Sequence, residues 1–257
     1  MTARWFPAAL TVALAAALVF LLLPVVAIFA GTAPGELLGS LDDPAALDAL
    51  RLSLLCSLAA VAIIVAVGTP AAYLLATRSF RGRALVVTAI ELPLVLPPAV
   101  AGIGLLAALG PNGLLGGVAR DRLVLQTAGV IVALTFVAAP FFLRQAQAAF
   151  EALDRTWLDA SRTLGASEAR TFLRVAVPTA RSGLAAGLAL AWGRALGEFG
   201  ATLMFAGSFR GITQTAPLAI YERFATEFDV ALALSAVLVG ISGALLLSVK
   251  LLGRAAH

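Results

Sequence analysis

Arg194 and Glu198 stand four residues apart in GRALGEFGATLMFAG (193–207), inside an otherwise apolar run. On a helix that spacing is one turn, close enough for guanidinium and carboxylate to meet. Three chemistries are open to such a pair. It can be an ion pair that silences both charges, an arginine that attracts an anion into a cavity, or a glutamate that carries a proton. A charged Glu198 would offset much of the field Arg194 offers a tetrahedral dianion, so no tight oxyanion site follows from the pair. Glu91, at the head of ELPLVLPPAVAGIGLL (91–106), is a second acid at the edge of an apolar run. It reads as a charge near a helix N-terminus before it reads as a ligand.

Other chemistries are excluded. A nucleotide-binding P-loop needs the lysine of G-x-x-x-x-G-K-[ST], and the single lysine, Lys250, follows Val249. The single histidine, His257, is the last residue, so there is no histidine metal cluster and no Ser-His or Cys-His pair. Cys56 is alone in an apolar run, which rules out an internal disulfide and suits a small buried hydrophobe. The chain reads as a non-enzyme without a cofactor of its own. If it moves something uphill, the energy comes from a partner or an ion gradient.

The elements that hold these residues are membrane helices. The 257 residues are 61% hydrophobic and 12% charged, with mean hydropathy +1.00, where a soluble domain is about a quarter charged. Charge-free runs predict helices near 8–30, 52–77, 86–109, 123–143, 182–206 and 230–249, each close to the ~20 residues that cross ~30 Å of hydrocarbon. The fold class expected is all-α, with six transmembrane helices. Helix 8–30 is longer than a typical signal-peptide apolar core and reads as an uncleaved span. Arg194 falls about 12 residues into the fifth helix, ~18 Å deep at 1.5 Å per residue.

Orientation follows from the arginines and the lysine. With the N-terminus inside, Arg4, Arg78, Arg81, Arg83, Arg144, Arg155, Arg162, Arg170, Arg174, Arg181, Lys250 and Arg254 are cytoplasmic. Only Arg51, Arg120, Arg122, Arg210 and Arg223 are external. Both termini are therefore expected in the cytoplasm, and the net charge of +4 is a topology signal and not a nucleic-acid footprint. The external loops are 31–51, with Glu36, Asp42, Asp43 and Asp48; 110–122, with the turn Pro111-Asn112-Gly113; and 207–229, with room for a short surface helix from Pro217. No internal repeat is evident.

Between the fourth and fifth helices lies EALDRTWLDASRTLGASEARTFLRVAVP (151–178). A helix over 151–164 places Leu153, Trp157, Ala160 and Leu164 along one face, expected to rest on the membrane helices. Gly165 ends it, Ser167 caps a second short helix carrying Phe172, Leu173 and Val175, and Pro178 breaks that one. The same features suit an ordinary interfacial amphipathic loop.

This segment resembles the cytoplasmic signature of permease subunits of binding-protein-dependent ABC importers, E-A-A-x3-G-x9-I-x-L-P. Asp159-Ala160-Ser161 stands at its start, Gly165 and then Ala166 follow, and Val175, Val177 and Pro178 fall at its last defined positions. The departures are Asp for Glu, Ser for Ala, and Val for Ile and Leu. The resemblance implies a type I ABC importer permease fold and a coupling segment that docks on a separate ATPase, which would bind ATP and Mg. Residues 91–106 and 193–207, with TQTAPLAIY (213–221), resemble the molybdate/tungstate permeases and their sulfate/thiosulfate relatives, and Pro97-Pro98 before small residues and Phe199 after Gly197-Glu198 look closer to the molybdate branch.

By that resemblance, 1–48 would be an N-terminal helix with the first external loop and 49–252 the permease domain. The partners implied are ATPase subunits, an extracytoplasmic oxyanion-binding protein, a second permease copy and the lipid of a prokaryotic plasma membrane, with no nucleic acid. Pro97, Pro98, Arg194, Gly197, Glu198, Phe199 and Gly200 are the candidate pathway or gate residues. Gly183/Gly187 and Gly193/Gly197 are small-xxx-small pairs suited to close helix packing, with a hinge at Gly197 or Gly200 as the alternative. The rival readings are a sulfate/thiosulfate permease, an ion-coupled transporter using Glu91 or Glu198, and an assembly factor without an ATPase partner.

Overall fold

A computed structural model describes residues 5–33, 35, 39, 42–119 and 122–254. Arg4, Glu36, Arg120 and His257 lie outside the described residues. Helix α1 (Trp5–Gly31) is apolar throughout and buries none of its side chains. It runs beside the last helix, where Leu232 comes within 3.1 Å of the position a Cβ on Gly31 would take. Helix α2 (Pro44–Thr77) starts two turns earlier than its charge-free run suggested. Asp43 caps it by accepting from the Ala45 N–H at 3.0 Å, and Pro44 fits the first turn, where a missing N–H costs nothing. Asp48 and Arg51 are therefore helical and not loop residues.

The third expected span is broken. Helices α3 (Arg83–Val95) and α4 (Pro98–Leu109) meet at 118°. Leu96 and Pro97 are extended, with ψ of 130° and 138°. A proline disfavours the α conformation in the residue before it, and two in tandem impose this on Leu96 and Pro97 together. Helix α5 (Thr127–Glu151) runs two turns past its apolar stretch and carries Arg144 inside it.

The coupling segment is not one helix from 151. Helix α5 ends at Glu151, and α6 (Arg155–Thr163) restarts after Asp154, which accepts from the Thr156 N–H at 2.9 Å. Helix α7 (Glu168–Thr171) leads into a π-helical stretch, Phe172–Ala176, and a turn, Val177–Thr179. Pro178 does not break the chain as expected. The wide π turn bonds the Val177 N–H to the Phe172 carbonyl just before Pro178, which has no N–H to give, so the helix passes through.

The fifth expected span is also broken, into α8 (Arg181–Leu196) and α9 (Gly200–Ala206). Helix α10 (Ala216–Phe224) does form with Pro217 in its first turn, and α11 (Phe228–Arg254) closes the bundle. Four helices are long and apolar enough to cross a membrane, α1, α2, α5 and α11 over Phe228–Val249, and the bent pair α3–α4 makes a fifth. Of the six expected spans, the third and the fifth are each divided by a break.

Two cores organise the bundle. Cys56, Ala60, Ile64, Leu134, Phe142 and Ala191 join α2, α5 and α8 around the fully buried Phe142 ring. Ala101, Leu105, Ala133, Val137, Ala201 and Phe205 join α4, α5 and α9. The second core ties the C-terminal halves of both broken helices to the same unbroken one.

Candidate functional site

The break between α8 and α9 carries the charged pair. Arg194 sits in the last turn of α8, where carbonyl ends carry partial negative charge. Glu198 lies ahead of α9, where free N–H groups carry partial positive charge. The Glu198 Oε1 accepts from the Ala201 N–H at 2.6 Å, and Oε2 meets Arg194 Nη2 at 2.5 Å. Glu198 is 1% exposed, whereas the Arg194 side chain keeps a quarter of its surface open. The pair is thus an ion pair, but one that spans a helix break and satisfies a helix end. The glycines around Glu198 and Phe199 signalled the break, because glycine ends helices readily.

The residues expected to line a pathway are partly brought together. A Cβ on Gly200 would meet the Pro98 Cβ at 2.8 Å, so the two breaks lie against each other. One turn on, a Cβ on Gly102 would meet Met204 Cβ at 2.6 Å and the Ala201 carbonyl at 2.7 Å. Phe199 stacks on Tyr221 of α10 with ring centroids 4.8 Å apart. Gly197 is exposed and Pro97 is the extended corner of the α3–α4 bend.

Of the glycine pairs, Gly183 and Gly187 do mediate contact: added Cβ atoms would lie 2.4 Å from Ala149 Cβ and 3.1 Å from Gln145 Cβ. Gly193 and Gly197 do not; Gly193 has nothing within 4 Å of that position and Gly197 only the Gly193 carbonyl at 3.6 Å. Glu91 is not an N-terminal helix charge. It lies in the third turn of α3 and pairs with Arg144 at 2.8 Å.

The 151–178 segment is closed by its own hydrogen bonds and ion pairs. The Gly165 N–H bonds to the Arg162 carbonyl and the Ala166 N–H to the Ser161 carbonyl, a closure that needs the left-handed backbone of Gly165, φ +81°. Arg162 reaches Asp159 at 2.8 Å and Glu168 at 2.9 Å, locking α6 to α7. These bonds raise the Arg162 pKa and hold the Glu168 carboxyl below its ordinary range. The Thr156 hydroxyl and N–H hold Asp154 low in the same way. Ser167 caps α7 through the Arg170 N–H, and the Ser161 and fully buried Thr171 hydroxyls bond at 3.0 Å.

The expected face is split: Leu153 packs against the bundle core as expected, but the rest of that face turns outward. Leu158 is the buried residue of α6, while Trp157 is 65% and Leu164 88% exposed, and Ala160 faces out with them. Helical spacing groups apolar residues, but it does not say which group the rest of the chain covers. A cleft of about 300 Å³ opens beside Trp157, lined by Ala149, Leu153, Leu158, Thr179 and Gly183. Val175 lines it too, while Val177 is half-buried and Pro178 exposed. Sequence reasoning missed the joint beneath: Tyr73 of α2, Phe150 of α5 and Phe172 pack edge-on and tilted, with centroids 4.9 to 6.3 Å apart. Scattered single aromatics give no spacing signal. Arg83 adds an ion pair to Glu151 at 2.6 Å.

The chain is similar to known proteins in sequence and in fold. A family model described as binding-protein-dependent transport system inner membrane component matches residues 65–255. A probable molybdenum ABC transporter permease protein of Haloferax volcanii is 39% identical over 92% of this chain and 86% of its own. The molybdate/tungstate transport system permease protein of Pyrococcus abyssi is 35% identical over 88% and 86%. The sulfate transport system permease protein CysW of Synechocystis is 34% identical over 80% and 78%. The crystal structure of a bacterial ABC transporter involved in the import of the acidic polysaccharide alginate contains a chain with TM-score 0.77 and 17% identity, covering 97% of this chain and 95% of that one. At that identity the likeness speaks for the fold.

Proposed function

The chain belongs to the binding-protein-dependent transport system inner membrane components, and from that premise we propose that it forms the translocation pathway of an ATP-driven molybdate/tungstate importer in the prokaryotic plasma membrane. Separate ATPase subunits bind ATP and Mg and hydrolyse the nucleotide, a binding protein delivers the oxyanion from outside, and a second copy of the chain completes the path. This chain holds no cofactor.

The observation that carries the reading is the outward apolar face of a rigid, ion-paired segment. Trp157 and Ala160 on α6 and Leu164 at its C-terminal cap are exposed, on a segment tied to the bundle by the Arg83–Glu151 ion pair and the Tyr73–Phe150–Phe172 contacts. A flexible loop could not transmit force; this one can. Asp159, Ser161, Gly165 and Ala166 hold the shape of α6 and its closure, and Val175, Val177 and Pro178 carry the π-helical joint into α8. The ATPase closes, the segment moves, and the Tyr73–Phe150–Phe172 joint carries the motion to α2 and α5. The adjoining breaks at Pro97–Pro98 and Gly197–Gly200 are where the path opens and closes, with Val95, Val100 and Ile103 exposing an apolar face there to the second copy.

The test is oxyanion-stimulated ATP hydrolysis in proteoliposomes of the chain with its ATPase and binding protein. Stimulation by molybdate or tungstate, lost in Gly165→Pro, is expected; proline cannot take the +81° φ there. Stimulation by sulfate alone would transfer the assignment to the sulfate branch, to which the Synechocystis relative belongs by name. Uptake without any associated ATPase would overturn the reading in favour of ion coupling, although Glu91 and Glu198 are both ion-paired here.

A further inference from the structure

On the opposite flank of α6 from Trp157 lies a polar cleft of about 500 Å³. Its floor is the end of α2 (Thr77, Arg78, Ser79) and the end of α5; its wall is the Arg155, Leu158, Asp159, Arg162 stripe of α6. Four arginines and two carboxylates line it. Both carboxylates are engaged, Glu151 by Arg83 and Asp159 by Arg162. Arg78 and Arg155 have no carboxylate within ion-pairing distance among the described residues, so the cleft keeps an uncompensated positive charge at their two positions. Glu168, the other acid within reach of the Arg78 field, is held by Arg162.

The placement of Arg155 is informative. It is the first residue of α6, where the helix end already carries partial positive charge and a cation is disfavoured. The Asp154 carboxylate caps that helix end through the Thr156 N–H, which leaves the Arg155 guanidinium itself to pair with an anion in the cleft. Arg78 begins the stretch Arg78-Ser79-Phe80-Arg81-Gly82-Arg83, in which Phe80 is 42% exposed and Leu85 beyond it 76%. Arginines around an exposed aromatic suit the headgroup layer.

The geometry points to the Arg78–Arg155 cleft as a binding site for a phosphate-bearing anion, either the headgroup of an inner-leaflet phospholipid or free phosphate. Its occupant would tie α6 to the end of α2. The site rests on the cytoplasmic orientation proposed above but needs no ATPase activity, so its test stands apart from that of transport.

The transporter, purified through a tag on the full-length chain, would be exchanged into an equal mixture of phosphatidylglycerol and phosphatidylcholine, washed, and its retained lipid quantified. The expected result is roughly fivefold enrichment of the anionic lipid, lost in R78Q/R155Q but kept in R170Q/R174Q, which removes the same charge from exposed positions of the same segment outside the cleft. A parallel thermal-shift arm uses millimolar inorganic phosphate and glycerol phosphate. A shift there that R78Q/R155Q abolishes, without lipid enrichment, assigns the site to the free anion. Equal loss in both double variants, or no enrichment and no shift in the unaltered protein, would overturn the proposal. Unchanged unfolding of R78Q/R155Q without ligand checks that the variant is folded.

Discussion

Arg194 with Glu198 and Arg162 with Asp159 and Glu168 are the same contact in opposite surroundings. The first pair lies at a helix break with the carboxylate sealed from solvent; the second lies on a surface loop with all three side chains more than a third exposed. Inside, water cannot replace a lost partner, so the pair fixes where the chain goes. Outside, water screens the charges and competes for them, so the bonds set a shape that other features, the Gly165 closure and the caps, already favour. One pair is a condition of the fold; the other tunes a surface.

Three experiments would break or sharpen that contrast. The largest effect is expected from Glu198→Ala, which strands Arg194 and uncaps the Ala201 N–H. A loss of ~3–5 kcal/mol is the usual scale for removing one partner of a buried pair, read as a fall in thermal stability and folded yield in detergent. Arg194→Leu combined with Glu198→Leu should recover much of it. Stability unchanged by Glu198→Ala would mean that water reaches the break and that the two pairs do not differ.

Next comes the crossing beside the break. Gly102→Ala puts a Cβ against Met204 and the Ala201 carbonyl and should cost about 1–3 kcal/mol, the scale of overpacking. Gly104→Ala, with nothing within 4 Å of its Cβ, should be neutral or slightly stabilising. Equal melting temperatures for the two would show that α4 and α9 are loosely held.

The smallest effect belongs to Arg162→Ala, within a degree or two of the parent melting temperature at neutral pH by the behaviour of exposed pairs, roughly. Its signature is in the pH dependence. The folded Glu168 carboxyl titrates below its ordinary 4.5 because of Arg162. Its contribution is therefore complete above that value and is lost as pH falls through the lower, folded one. Parent and variant melting curves should converge on acidification; a gap that widens toward low pH would refute the assignment.

Much of this was legible in the residues. Apolar runs found α1, α2, α5 and α11, because a stretch with no charge has one solvent to prefer. Gly165, Ser167 and Pro217 marked ends and starts correctly, since each acts through its own backbone or the next few residues. The tandem prolines and the glycines around Glu198 were visible, with a hinge at Gly197 or Gly200 as one reading, but the 118° bend at Leu96–Pro97 and the full break before Gly200 were not. The sidedness of α6 was also missed: spacing put Trp157, Ala160 and Leu164 together, and only Leu158 against the bundle shows that the group faces out.

What the sequence determined by itself is whatever depends on neighbours along the chain: solvent preference, caps, helix-breaking residues, and the absence of groups that could hydrolyse ATP through a P-loop. What only the tertiary structure decided is whatever depends on distant residues meeting: Pro98 against Gly200, Glu91 with Arg144, Glu151 with Arg83, Tyr73 under Phe172. Local preferences act within about a turn of helix, whereas these contacts join residues brought together by packing, and spacing along the chain says nothing of which face packing will cover.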